Sequence, residues 1–205
     1  YLDLPASNGE MYDSEWNSES SFEINVPADY GLEMWEAVIE AGKEFDITPY
    51  GTEVMHLLRA EKGFIIVGQE TDGTVTPIDL GMDWIVSDKK DFIGRRSLSQ
   101  SDLARNGRKQ LVGLLPENKD YVLDEGAHMV EKNAPEIPPV PMLGHVTSSY
   151  YSPNLDRSFA LALLKNGHAR IGDTVMVDIS REKGRVPAKV VKPLFYDAEG
   201  GKFHE

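Results

Sequence analysis

Residues 49–84, PYGTEVMHLLRAEKGFIIVGQETDGTVTPIDLGMDW, set the frame for the rest of the chain. Pro49 suits a first helical turn, where a missing N–H costs nothing because that donor would be unpaired anyway. Val54, Leu57 and Leu58 recur at spacings of three and four, so the stretch predicts a short amphipathic helix. Gly63 is placed to stop it. Phe64, Ile65, Ile66 and Val67 then form an apolar run that predicts a buried strand, followed by turn-rich QETDGT and a polar loop through Pro77 to Trp84.

Upstream, the first twenty residues are polar and irregular and read as loop. Ser21–Val26 alternates, with Phe22, Ile24 and Val26 opposite Ser21, Glu23 and Asn25, which predicts a half-buried strand closed by Pro27. Asp29 is positioned to cap a following helix through its carboxylate. Leu32, Trp35, Val38 and Ile39 give that helix its apolar stripe, Glu33 and Glu36 lie near its positive end, and Gly42 ends it. The front half therefore predicts an α+β arrangement.

Residues 85–108 are charged, with short helical turns expected around Ser97–Ala104, and a domain boundary is expected near residue 100. Beyond it the period becomes two. Six strands are expected, at 109–115, 127–131, 142–149, 158–164, 174–179 and 186–194, separated by turn signals such as Asp124-Glu125-Gly126 and Ser152-Pro153-Asn154. Short strands at this spacing predict a small antiparallel barrel or sandwich. The proline-rich Pro135–Pro141 is expected to be a stiff connector.

The bulk properties exclude several function classes. A formal net charge of −13 disfavours nonspecific nucleic-acid binding, because few clustered cations are available to release phosphate counterions. Cysteine is absent, which removes disulfides, thiolate catalysis and zinc–sulfur sites. No run of about eighteen apolar residues is present to span a membrane, and the first residues lack the basic and apolar regions of a signal peptide. The expected location is the cytoplasm. His56, His128, His145, His168 and His204 are scattered without metal-ligand spacing, so no metal site is expected. The acidic residues Glu70, Asp72 and Asp79 lack calcium-loop spacing. Neither a G-x-S-x-G elbow nor a G-x-G-x-x-G fingerprint occurs, so no serine nucleophile and no dinucleotide site of the chain's own is expected.

The stretch LLRAEKGFIIVGQETDGTVTPIDLGMDW resembles the R-x-E-x-G…G-x-(D/E)-x-D…T-P-x-(D/E)…L-x-W pattern of the aminomethyltransferase family, the glycine-cleavage T-protein and its relatives. Within that family the wording TPYGTEVMHLLRAEKGFIIVGQETDGTVTP is most similar to the carboxyl-terminal part of the alpha subunits of heterotetrameric sarcosine oxidases. The resemblance runs from about residue 19 to residue 197. It implies the remainder of an aminomethyltransferase-like folate-binding domain over residues 1–100 and the family's β-barrel domain over 101–205. It also implies that the amino-terminal half of the folate-binding domain, which carries an acidic residue near the reacting methylene, lies in a longer polypeptide.

Site residues follow from the same resemblance. SESSFEI matches the family's folate-contacting motif, with Glu19 at its first glutamate and Glu23 at its second. The second glutamate of that motif accepts from the donor edge of the pterin, a role suited to an ionised carboxylate facing two adjacent N–H groups. Read from the residues alone, Glu23 is a solvated strand carboxylate. Ser18 stands where the family has glycine. Trp16 lies where relatives carry Tyr or Phe, either stacked on the folate or simply covering core. Arg59 and Glu61 match the R-x-E, with a structural tie between helix and strand weighed against a folate contact by Arg59. Met55 occupies the position of a transferase arginine. In MLGHVTSSYYSP, the barrel motif, Gly144 and Thr147 are expected to pack strand and turn.

The resemblance implies tetrahydrofolate as cofactor, with FAD, FMN and NAD in the parent assembly but not on this chain. It implies beta, gamma and delta subunits as partners and no catalytic residue within these 205 positions. The implied reaction is demethylation of sarcosine to glycine with formation of 5,10-methylenetetrahydrofolate. A T-protein-type aminomethyltransferase and a non-catalytic scaffold fragment remain as alternatives.

Overall fold

The computed structural model describes residues 11–13, 22–180 and 184–199. No helix among them is long and apolar enough to cross a membrane. The chain forms two compact units, a smaller one running to Leu58 and a larger one, Arg59–Ala198.

In the smaller unit β1 (Met11–Asp13) pairs antiparallel with β2 (Phe22–Ile24), Met11 facing Ile24 and Asp13 facing Phe22. The loop expected over the first twenty residues is thus interrupted by a strand, too short for alternation to reveal it. Asp29 does not cap the next helix. It sits inside a 3₁₀ turn, Ala28–Tyr30, that feeds directly into α1 (Gly31–Gly42). The Tyr30 N–H donates to Pro27 and the Gly31 N–H to Ala28, so backbone carbonyls have already taken these donors. α1 does end at Gly42, but its stripe is largely open: Leu32 is 69% and Trp35 55% exposed.

α2 (Thr52–Glu61) carries the predicted helix, and its last three residues, Arg59, Ala60 and Glu61, are buried. Gly63 stops it in the left-handed region at φ 72°. A side chain there would also collide with the Pro193 carbonyl, 1.7 Å from where a Cβ would sit. The buried strand expected at Phe64–Val67 does not form. The Phe64 N–H returns to Arg59, the Ile66 N–H donates to the Glu70 carboxylate, and the Ile66 carbonyl accepts from both Gln69 and Glu70. With these groups committed to local turns, the stretch keeps only an isolated bridge between Val67 and Thr71 and no strand ladder. Val67 is 85% exposed.

After 3₁₀ turns at Asp83–Ile85 and Ser97–Ser99 and the one-turn α3 (Ser101–Ala104), the chain enters the barrel. Its strands are β3 (Lys109–Pro116), β4 (His128–Val130), β5 (Gly144–Ser152), β6 (Arg157–Lys165), β7 (Thr174–Ser180) and β8 (Gly184–Val191). All six expected strands are present. They close in the order β3-β6-β5-β4-β7-β8, every pairing antiparallel, so the barrel rather than the sandwich is realised. Val112, Leu114, Met129, Val146, Leu164, Val175, Val177 and Val190 point inward and are at most 1% exposed. Gly144 is obligatory at the start of β5, because a Cβ would lie 1.9 Å from the Leu163 carbonyl on β6. Thr147 occupies the register shift between Val146 and Ser148.

Candidate functional site

Of the four expected ligand residues, Trp16 and Glu19 lie outside the described residues. Glu23 lies on β2 in the smaller unit, opposite Tyr12, with an exposed side chain. Arg59 lies in the larger unit and is 2% exposed.

Arg59 is the hub of a buried polar network. Its Nη1 donates to Glu70 Oε2 at 2.9 Å and to the Phe64 carbonyl at 3.1 Å. Its Nη2 donates to Ser148 Oγ at 2.7 Å and Gln69 Oε1 at 3.3 Å. Ser148 in turn donates to the second Glu70 oxygen. Gln69 also donates to the Thr147 carbonyl at 3.1 Å and to Glu125 at 3.2 Å. The helix end, the 64–70 turn and β5 are therefore joined by one ion pair with both charges out of water. The R-x-E pattern is not a mutual pair. Glu61, 1% exposed, turns to the far end of β5, where it accepts from Ser152 Oγ and from Asn154 Nδ2 at 3.1 Å. Its own carbonyl accepts from the Phe195 and Tyr196 amides.

The rest of the acidic cluster disperses in the same way. Asp79 forms a two-oxygen pair with Arg108, whose Nε lies 3.0 Å from each oxygen and whose Nη2 lies 2.6 Å from Oδ2. The Thr76 amide and hydroxyl also donate to Asp79, at 2.9 and 2.8 Å. Burial alone would raise this carboxyl, but the Arg108 guanidinium and the Thr76 donors outweigh it and hold it below the ordinary carboxylate value. Asp72 accepts from the Thr74 hydroxyl and amide and is lowered mainly by them. The Asp79 carbonyl accepts from the Leu111 amide at 2.8 Å, which lays this loop along β3.

Sequence reasoning missed Glu70 as the partner of Arg59, and Ser148 and Ser152 as the hydroxyl donors to the buried carboxylates of Glu70 and Glu61. A usable signal was present. β5 carries four hydroxyl residues, Thr147, Ser148, Ser149 and Ser152, in a barrel strand, and buried hydroxyls in a barrel wall require polar partners.

Comparison with known proteins divides the chain further along, between residues 90 and 109, rather than at Leu58. Residues 12–90 match the GCVT N-terminal domain, and residues 109–197 match the glycine cleavage T-protein C-terminal barrel domain. The alpha subunit of sarcosine oxidase from Corynebacterium sp. (strain U-96) is 51% identical over 188 residues, covering 91% of this chain and 19% of that protein. The corresponding subunit of Rhizobium meliloti (strain 1021) is 36% identical over 97% of this chain and 20% of its own length. An aminomethyltransferase of Desulfitobacterium hafniense (strain DSM 10664 / DCB-2) is 32% identical over 90% of this chain and 48% of its own. The chain therefore spans about a fifth of these alpha subunits and about half of the transferase. In fold it is similar to the solved aminomethyltransferase T of the Bartonella henselae glycine cleavage system, with a TM-score of 0.74 at 22% identity, over 92% of this chain and 49% of that one. Carrying both modules in order, the second as a closed six-stranded barrel, the chain belongs to the glycine cleavage T-protein family.

Proposed function

We propose that this chain is the folate-binding, carboxyl-terminal part of a sarcosine oxidase alpha subunit. The observation that carries the reading is the 51% identity to such a subunit over 91% of the chain, against 32% for the transferase. Met55, where the transferases carry arginine, favours the same branch. In this reading the parent protein demethylates sarcosine to glycine and yields 5,10-methylenetetrahydrofolate, works in the cytoplasm, and assembles with beta, gamma and delta subunits and with FAD, FMN and NAD held elsewhere.

Tetrahydrofolate, when bound, supplies the nitrogen that accepts the one-carbon unit. This chain's own contribution is to bind and orient. Glu23 offers an exposed carboxylate on a short strand, which fits an aminopyrimidinone edge presenting adjacent N–H donors. Glu19 and Trp16 would complete the grip on the ring and its aminobenzoyl arm. Arg59, engaged by Glu70, Ser148, Gln69 and the Phe64 carbonyl, fixes the 64–70 turn within its own unit.

A titration of the chain with folinic acid, followed by tryptophan emission, tests this reading beside Glu23→Gln. The expected result is saturable quenching that the variant loses. Equal, nonsaturating responses in both proteins would refute the assignment and favour a non-catalytic scaffold.

A further inference from the structure

The outer face of the barrel carries an arrangement that the folate reading does not use. Lys109 on β3 stands directly opposite Lys165 on β6. Like charges in this relation repel and weaken a strand pair, and neither ammonium has an ion-pair partner among the described residues. The two lysines lie on the rim of a cleft of about 430 Å³, a size suited to a small molecule. Val75, Met142, Leu143 and Leu163 give it apolar wall.

His145 faces the same cleft. It is registered against Leu163, two residues before Lys165, and therefore shares the outward face. Burial, then Lys109, then His128 disfavour its imidazolium, with Asp72 opposing them. The cleft's other cations are already engaged, Arg108 with Asp79 and Arg105 with Asp102. Asp72 also lines the cleft and is held down in part by Lys109. The lining still sets the four side chains of Arg105, Arg108, Lys109 and Lys165 against the two carboxylates of Asp72 and Asp102, an excess of positive charge that stands out in a chain of net charge −13.

We propose that the Lys109–Lys165 cleft binds a small organic anion, its carboxylate or phosphate group seated between the two ammonium groups beside His145 and its apolar part against Val75 and Met142. An oxyanion there removes the cross-strand repulsion and supplies acceptors to both lysines. This site is independent of Glu23 and does not rest on the folate reading.

The test is a titration of the full 205-residue chain, selectively labelled at histidine, with inorganic phosphate and separately with glutarate at constant ionic strength, following the His145 imidazole resonances. The expected result is a saturable shift with one or both anions. Each of Lys109→Met and Lys165→Met should weaken it about tenfold, a charge-assisted contact apiece. Lys132→Met, remote from this cleft, should leave it unchanged. Saturation by phosphate alone identifies a phosphate ester as the natural class, and saturation by glutarate alone a dicarboxylate. A linear shift with both anions overturns the proposal, as does a saturable one that survives Lys109→Met/Lys165→Met. A folded state retained by both single variants, read from circular dichroism, separates lost binding from lost structure.

Discussion

The barrel and the segment before it are built on opposite terms. Of the eighteen buried apolar residues among those described, Ala60 alone precedes Lys109. Fourteen of the twenty exposed large apolar side chains lie between Ile24 and Ile93. The barrel closes its hydrogen-bond ladder around its own core, so its strands and its burial support each other. The earlier segment has helices and turns defined by local signals but no core beneath them. Where it is firmly held, at Arg59–Glu61, Glu70 and Asp79, it is held by buried polar ties. Helical periodicity can therefore be satisfied without burial, and ion pairs can anchor a chain where apolar packing does not.

Core truncation should expose that difference most strongly. Leu164→Ala removes a fully buried side chain from the barrel and should cost about 2–5 kcal/mol. Trp35→Ala on α1, with a half-exposed ring, should cost under about 0.5 kcal/mol, as surface substitutions do. Chemical denaturation of both variants makes the measurement, and equal losses would break the contrast.

The polar anchors come next. Arg59→Met leaves Glu70 buried without its cation and should cost about 3–5 kcal/mol. Adding Glu70→Leu should restore a good part of that loss, since a buried pair replaced on both sides is often nearly neutral. A double variant no better than the single would mean that Ser148 and Gln69, rather than the charge, govern the site.

The smallest effect is in acid. Asp79 titrates below its unfolded value, so its stabilising share is fully present above about pH 4 and is lost as pH falls through the lower folded value. Denaturation midpoints of the parent chain and Asp79→Asn should differ at pH 6 and converge towards pH 2. A constant difference would mean that the stabilisation does not depend on the charge of the Asp79 carboxylate.

The barrel was legible because period-two alternation and turn residues are local properties, and each of its six strands announces itself. Closure was not legible in the same way, because short strands at this spacing suit a sandwich as well as a barrel. The front segment misled where a local signal met a competing partner. Phe64–Val67 has strand composition, but the Ile66 amide was claimed by the Glu70 carboxylate and the Phe64 amide by the Arg59 carbonyl. Asp29 has capping chemistry, but Pro27 and Ala28 carbonyls reached the amides first. Arg59 was singled out and its partner was not, because an eleven-residue separation to Glu70 and an eighty-nine-residue one to Ser148 leave no periodic trace. The Lys109–Lys165 opposition was equally invisible, since it exists only once β3 and β6 are in register.

Closure of the barrel also limits how other chains can approach it. With a neighbour on each side of every strand, it presents no terminal strand to a visiting peptide, and association there must go through side chains. Among the described residues, strand edges without a ladder neighbour are found instead on the two-stranded ribbon of β1 and β2, the ribbon that carries Glu23.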